Sequence, residues 1–265
     1  MLIGATNFEF CGENLSEKGY IIGSIESTDV DTITGNNIEI LSNRNPLSIK
    51  DIQYGVKYGD GLEIKFQIFK LNCRDANLSP ISFAEEEMIK RWLVRNTYNY
   101  VKFNNDEDLY FNVTAIVNNI VIGRSLVGFE ITMKNDSAFG YSGIRKTVIE
   151  PKEELTNVLD NSSLVGEIYP KITISITNSD EFQFLNISTG ERMRINNCTL
   201  NEKIVVDCEN KIITTSYTNH KATLAKDFNY VFPSLANDYN SRNNYVRAIN
   251  GEVTLEYRFR RMVAL

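Results

Sequence analysis

The chain has 265 residues, a length that suits one or two domains with cores of their own, and two are expected. Its 42% hydrophobic and 23% charged residues exclude the disordered and fibrous classes. A formal net charge of -6 argues against sequence-specific nucleic-acid binding, because such affinity depends mostly on Lys and Arg. The sequence shows neither a signal peptide nor a run of 18 apolar residues, so no membrane partner is expected and synthesis in a cytoplasm is predicted.

The N-terminal part of the chain has the pattern of strands and turns. Residues 8–10 and 19–25 predict two short strands, and the polar stretch 29–46 predicts an extended hairpin or arm that needs a partner to pack on. Residues 54–58 and 62–69 alternate apolar and polar side chains, and the Asp60-Gly61 step between them predicts a tight hairpin.

One amphipathic helix is predicted after these strands. Ser82 and Glu85 have the spacing of a capping box, and Asn96 is expected to end the helix in the left-handed region. The apolar side of this helix is predicted to contain Met88, Ile89, Trp92 and Leu93. Two i,i+4 pairs of Glu with Lys or Arg keep the opposite side in solvent.

The residues that follow predict an antiparallel set of strands over 98–134. The acidic turn at 104–108 lacks the spacing and the glycine of an EF-hand, so it is interpreted as a solvated hairpin tip. The pattern becomes irregular over 136–170, where a short helix is predicted to start near Pro151. Regular alternation then returns, and short strands with turn signals predict a sandwich. The predicted domains are residues 1–146 and 147–265.

The sequence contains no recognisable catalytic, cofactor-binding or metal-binding set, so the protein is not expected to be an enzyme and no cofactor is predicted. His220 is the only histidine and is interpreted as a solvated loop residue. The four cysteines are far apart and are expected to be free thiols. Trp92 is assigned to core packing, and the glycines at 55, 59 and 61 to turns.

The order of several motifs resembles the distal tail protein (Dit) family of tailed bacteriophages and phage-tail-like bacteriocins, over nearly the whole chain. These motifs are Phe8-Glu9-Phe10-Cys11-Gly12, Gly19-Tyr20-Ile21-Ile22, Arg91-Trp92-Leu93, Gly128-Phe129-Glu130-Ile131, Tyr169-Pro170-Lys171-Ile172, Glu202-Lys203-Ile204-Val205, Phe232-Pro233-Ser234-Leu235 and Val253-Thr254-Leu255-Glu256. The family's Pro-Gly-Arg-x-Gly loop is only echoed by Tyr58-Gly59-Asp60-Gly61.

The resemblance implies a mainly β protein with an N-terminal β-sandwich that carries one helix and a galectin-like C-terminal β-sandwich. It implies a structural hub of a tail tip or baseplate in the virion tail. The first domain would form a homo-oligomeric, hexameric ring that joins the tail tube to the tail-associated lysin or baseplate hub, with receptor-binding proteins at its periphery.

The alternative is a carbohydrate-binding adhesin of a phage tail. Galectin sugar sites depend on a stacking Trp and a His-Asn-Arg set, whereas the only Trp of this chain lies in the first predicted domain. No His-x-Asn-x-Arg motif occurs in the sequence, which favours the structural hub.

Overall fold

The computed structural model describes residues 4–24, 38–44, 49–59, 61–70, 78–152, 154–178, 180–238 and 241–263. The chain divides into two compact units, the first formed by Met1–Tyr141 and Arg261–Leu265 and the second by Ser142–Arg260. The predicted mainly β, two-part chain is confirmed.

The described residues of the first unit form ten strands, one α-helix and one short 3-10 helix, Ser16–Lys18, before the chain enters the second unit. The strands and the α-helix are β1 (Phe8–Phe10), β2 (Glu13–Asn14), β3 (Tyr20–Ser24), β4 (Ile38–Asn43), β5 (Ile52–Tyr58), β6 (Glu63–Lys70), α1 (Phe83–Leu93), β7 (Asn99–Phe103), β8 (Tyr110–Ile122), β9 (Ser125–Asn135) and β10 (Gly140–Tyr141).

The second unit is also built mostly of strands, and the last strand returns to the first unit. The elements are β11 (Arg145–Ile149), β12 (Thr156–Leu159), β13 (Gly166–Ile168), β14 (Lys171–Ile176), β15 (Asp180–Asn186), β16 (Glu191–Cys198), β17 (Lys203–Asp207), β18 (Ile212–Thr215), α2 (Thr218–Lys221), α3 (Leu224–Asp227), β19 (Leu235–Asn237), β20 (Asn243–Ile249), β21 (Gly251–Tyr257) and β22 (Arg260–Arg261).

The division between the units differs from the predicted one. A boundary after residue 146 would cut β11, which pairs along its whole length with β21 of the second unit. At the other end, β22 pairs with β10, and Val263 is buried in the core of the first unit. The composition of a loop indicates where a strand ends but not which distant strand it pairs with. The sequence therefore did not predict that the C-terminal residues belong to the first unit.

The main sheet of the first unit curls until its two ends meet. Its strands run in the order β2-β1-β7-β8-β9-β6-β3. At the two ends, the amide of Ile22 in β3 donates to the carbonyl of Thr6, just before β1, at 3.1 Å. The rings of Phe8 in β1 and Phe66 in β6 lie 5.5 Å apart although several strands separate them in the sheet order. The alternating apolar side chains therefore meet inside the curl.

Helix α1 completes this core. Ser82 and Glu85 form the predicted capping box, and Ile89, Trp92 and Leu93 are buried. The Trp92 ring stacks on Phe8 with centroids 5.5 Å apart. Its indole N–H donates to the carbonyl of Phe10 at 3.1 Å, so a buried polar atom has a partner. The predicted core position of Trp92 is confirmed.

Two details of the predicted helix are wrong. Met88 is 40% exposed, because the covered side of the helix is narrower than the apolar stripe in the sequence. The helix ends at Leu93, and its C-cap Val94 is extended with φ of -81°. Asn96 is not among the residues with positive φ, so it does not close the helix in the left-handed region.

The predicted hairpin between residues 54–58 and 62–69 is also wrong. Strand β5 pairs with β4 in a separate two-stranded sheet, whereas β6 pairs with β3 and β9. Gly61 serves another purpose than a tight turn, because a Cβ there would lie 2.2 Å from the carbonyl oxygen of Asn135. The glycine allows the two backbones to approach closely.

The second unit is a sandwich. Its larger sheet has the order β11-β21-β14-β17-β18 and the smaller has the order β12-β20-β15-β16. Alternate residues of both sheets are buried in one core, for example Ile172, Ile174, Phe182 and Phe184. The short helix predicted near Pro151 is not formed by the described residues of that segment. The loop after β18 instead contains α2 and α3.

Candidate functional site

The strand pair β4 and β5, here called the arm, presents the most exposed apolar surface of the first unit's strands. Ile40, Ile52 and Tyr54 are 60%, 58% and 68% exposed. The register places Ile40 opposite Val56 and Asn43 opposite Ile52. Gln53 and Gly55 pair with the consecutive residues Ser42 and Leu41, so Tyr54 between them is the extra residue of a β-bulge and does not follow the alternation of the strand.

The arm forms no ladder with the main sheet in the described part of the chain. A two-stranded sheet is marginally stable alone in water, and an exposed apolar face destabilises it further. The arm is therefore expected to pack on another surface. The predicted need of residues 29–46 for a partner stays a prediction, and residues 29–37 and 45–46 lie outside the described residues.

The turn between β8 and β9 presents a second exposed apolar group. Val121 and Ile122 are 59% and 58% exposed. Gly123 and Arg124 between the strands both have positive φ, 57° and 74°, as a two-residue hairpin turn requires. The strands are thus held together up to their last residues, and the apolar side chains are presented on a well-defined tip.

A shallow groove of about 560 Å³ runs beside α1. Its lining includes Met88, Trp92 and charged side chains of both signs, namely Lys18, Arg91, Arg95, Glu13 and Glu87. Lys18 forms an ion pair with Glu13 and its amino group lies 4.8 Å from the centre of the Trp92 ring. The groove therefore combines apolar surface with charges of both signs, which suits a contact with another macromolecule more than a small-molecule cavity.

His220 is not the solvated loop residue that the sequence predicted. It is 4% exposed, and its Nδ1 lies 2.7 Å from a carboxylate oxygen of Glu202. Its Nε2 lies 3.4 Å from Asp227. The helices α2 and α3, which the sequence did not predict, bring these side chains together.

The hydrogen bonds of the cluster around His220 centre on Glu202, whereas Nε2 of His220 and Oδ2 of Asp227 form none with the described residues. Glu202 also accepts hydrogen bonds from the hydroxyl of Thr215 and the amide of Thr199. The hydroxyl of Thr223, followed by the side chain of Asn197 and by His220, holds the pKa of Asp227 below its ordinary value. These contacts join α2 and α3 to the sheet, and the arrangement fits a structural role.

The described cysteines are free. Cys198 and Cys208 are buried, and burial raises the pKa of each thiol to about 12. Cys11 is exposed, and Cys73 lies outside the described residues. A thiol with so high a pKa is a poor nucleophile near neutral pH.

The acidic turn at 104–108 is held by local contacts. A carboxylate oxygen of Asp106 accepts the amide of Asp108, whose own carboxylate lies 3.1 Å from Arg261. Among the described residues, no group of three or more His, Cys, Asp and Glu side chains could hold a metal ion. Within the same residues, no helix has the length and apolar character to cross a membrane.

Two protein-family models match the chain. A phage tail protein N-terminal domain matches residues 3–137, and a phage tail C-terminal domain matches residues 139–257. The first match ends and the second begins a few residues before Ser142, where the second unit begins. Among curated proteins, none matches the sequence.

The fold is similar to that of the Dit protein (gp 19.1) of phage SPP1, described as a paradigm of the hub adsorption apparatus in phages that infect Gram-positive bacteria. The similarity covers 96% of this chain and 98% of that chain, with a TM-score of 0.59 and 13% identity. At this identity the likeness establishes the fold. Because the N-terminal family match alone spans more than half of the sequence, the chain belongs to a family of phage tail proteins, and its fold is that of Dit.

Proposed function

We propose that this protein is a structural hub of a phage tail tip or baseplate. In this proposal the first unit forms a hexameric ring that joins the tail tube to the tail-associated hub protein and the receptor-binding components. The second unit is a galectin-like sandwich, and the protein acts in the virion tail without enzymatic activity. The observation that carries the proposal is the likeness to a hub protein over nearly the full length of both chains, within a family of tail proteins.

The exposed surfaces of the first unit support assembly there. The arm exposes Ile40, Ile52 and Tyr54, and the β8–β9 turn exposes Val121 and Ile122. Each subunit of a ring must offer two different surfaces to its neighbours, because contacts in a ring are heterologous. The arm and the β8–β9 tip are two such apolar surfaces, and burying them in a neighbour removes their contact with water.

The proposal is tested by the mass and shape of the purified full-length protein. Native mass spectrometry over a concentration series should show a six-fold species, and negative-stain microscopy should show rings. A protein that stays monomeric at every concentration, and whose antibody does not label the tip of purified tails, would refute the hub.

A charge introduced on the arm sharpens this test. The double variant Ile52→Asp/Tyr54→Asp should prevent ring formation, because the ring would have to bury two carboxylates without partners. Leu200→Asp is the matched control, since Leu200 is a 54% exposed apolar residue of the second unit. Rings that form equally well from both variants would show that the arm is not part of the interface.

A further inference from the structure

The outer face of the four-stranded sheet in the second unit carries a row of cationic side chains. Leu185 of β15 pairs with Arg192 of β16 on one side and with Arg247 of β20 on the other. Since neighbouring strands lie about 4.8 Å apart, the two arginine Cα atoms are separated by about 10 Å. We call Arg192, Leu185 and Arg247 the arginine row.

No carboxylate of the described residues forms an ion pair with the arginines of the row. Arg192 donates from Nε to the neutral amide oxygen of Gln183 at 2.9 Å. Arg247 forms no ion pair with the described residues, and its Nε is shielded from solvent without a hydrogen-bond partner among them. A buried donor without a partner is rare in folded proteins and indicates a bound water, ion or ligand group. The neighbouring Arg194 differs, because Glu181 lies 2.6 Å from its Nε.

A cleft of about 350 Å³ lies beside Arg247. Thr177, Asn250 and Lys152 contribute polar groups to its wall, and Ile249 contributes an apolar one. Lys152 is paired with Glu150, and the charge of Glu154 also acts on it. Arg247 is thus the cation of this cleft whose charge is available to a ligand.

The outer face of the five-stranded sheet shows the contrast. Lys146 pairs with Glu256 at 2.5 Å. Hydrogen bonds from the amide and side chain of Asn210, followed by the amide of Glu209 and the charge of Lys171, outweigh burial and lower the pKa of Asp207. Cations and anions neutralise each other there. The arginine row therefore stands out in a chain whose formal net charge is -6.

We propose that the arginine row binds a short segment of an anionic glycopolymer, with an oxyanion on Arg247 and a second on Arg192. A guanidinium group presents a planar fork of donors that matches phosphate and carboxylate oxygens. Leu185 between the two arginines offers apolar contact to the body of a sugar or polyol unit. The inference rests on the proposed function in one respect: a protein of the tail tip meets such polymers at the cell surface.

The row is too short and too poor in aromatic surface for a nucleic acid. Binding of single strands uses stacking platforms and a long cationic groove. Tyr245, on the outward side of β20 and 45% exposed, offers a single ring and not a series of stacking platforms. A flexible glycopolymer can place only two of its charges on the row.

The test is a titration of the full-length protein by calorimetry. A short poly(glycerol phosphate) chain and oligogalacturonate separate phosphodiester from carboxylate as the bound group, and neutral dextran and an oligothymidylate of equal charge serve as comparisons. At least one of the two anionic glycopolymers should bind, and affinity should fall as salt rises from about 50 to about 150 mM. Binding of dextran or of the oligothymidylate with equal affinity would overturn the inference.

Variants assign the binding to the row. Arg192→Gln/Arg247→Gln should weaken binding by about tenfold or more, and Arg247→Lys, which keeps the charge but loses the fork, by about threefold. Lys203→Gln on the other sheet removes the same charge and should leave binding within about twofold of wild type. Thermal unfolding of each variant checks the fold, and Arg192→Gln alone, at an exposed position, provides a reading if the double variant is unstable. Wild-type affinity in both Arg192→Gln and the double variant would refute the row.

Native mass spectrometry of the same samples separates this inference from the proposed hub. Rings that lose polymer binding in the double variant support both. A monomer that binds through the row overturns the ring and supports the row, whereas rings that bind neither polymer refute the row alone.

Discussion

The two units bury their side chains in different ways. In the first unit the centre of the core is aromatic, with the ring of Phe8 packed against Phe66, Trp92 and Phe103. In the second unit the apolar core is accompanied by most of the buried polar side chains of the described residues. The first unit leaves the apolar arm exposed, whereas the second buries polar side chains and leaves the Nε of Arg247 without a hydrogen-bond partner among the described residues. This difference suggests that assembly depends on the first unit and contact with charged polymers on the second.

Trp92→Ala should change the stability of one unit relative to the other more than any other variant proposed below. Removing the indole leaves a cavity against Phe8 and an unpaired carbonyl at Phe10, so the first unit should lose about 3–5 kcal/mol. Hydrogen exchange measured by mass spectrometry should show faster exchange in β1 and α1 and unchanged exchange in the second unit. Tyr245→Ala, an exposed aromatic position, is the control, and equal acceleration of both units would refute their independence.

Asn244→Ala tests the reverse case. The side chain of Asn244 donates to the carbonyl of Ala236 at 3.0 Å and accepts its amide at 2.9 Å. Leaving both backbone groups without partners should cost the second unit about 2–3 kcal/mol. Trp92 is the only tryptophan, so its fluorescence reports the unfolding of the first unit. In Asn244→Ala the unfolding midpoint measured by this fluorescence should not change. A shift of that midpoint equal to the shift of the circular dichroism signal would contradict separate units.

Val263→Ala tests whether the C-terminal residues belong to the first unit. Val263 is 2% exposed within the core of that unit. The loss of its methyl groups should destabilise the first unit by about 1–2 kcal/mol, before any added cost of a cavity. Tryptophan fluorescence during urea unfolding measures this, and Met262→Ala, at a 47% exposed neighbour, should have little effect. Destabilisation of the second unit instead would contradict the division at Arg260.

The smallest expected effect is a pH dependence confined to α1. Lys70, followed by the amide of Ser82, lowers the pKa of Glu85 from 4.5 to about 2. A carboxyl whose folded pKa is depressed stabilises the fold above its unfolded pKa, so this contribution should be lost as the pH falls from about 4.5 toward 2. The carboxylate is about one-third exposed, so solvent reduces the effect.

Exchange rates of the first-turn amides of α1, measured against pH, check this prediction. Glu85→Gln should remove the added pH dependence, and Glu87→Gln, in the same helix, should retain it. An unchanged profile in Glu85→Gln would show that the capping contact does not stabilise the helix.

Features set by neighbouring residues could be predicted from the sequence. The capping box at Ser82 and Glu85 depends on residues three apart, and it is present. The alternation at Ile172, Ile174 and Ile176 predicts one buried face, and all three are buried in β14. Apolar residues at Ile204 and Val206 alternate in the same way, and both are buried in strand β17. Local hydrogen bonds and period-two burial decide these cases.

Features that depend on distant residues could not be predicted. Strand β5 pairs with β4 rather than with β6, because Gly61 and Leu62 align with residues 135–137 instead of turning back on β5. His220 is buried with its Nδ1 2.7 Å from a carboxylate oxygen of Glu202, a partner 18 residues earlier in the sequence. The surfaces proposed for assembly and binding also depend on the order of strands in the sheet, which local sequence does not determine. Arg192 and Arg247 form a row only because β15 lies between their strands.

The pairing of β10 with β22 has a consequence for how this chain can change. The second unit begins after Tyr141 and ends before Arg261, and these two positions belong to adjacent paired strands. The second unit is therefore a domain inserted between two paired strands of the first unit. A domain whose two ends lie at neighbouring points can be exchanged for another without disturbing the hydrogen bonds of the first unit. Replacing residues 142–259 by a two-residue Asn-Gly turn should leave a first unit that folds, and the same junction should accept a receptor-binding domain of a different origin.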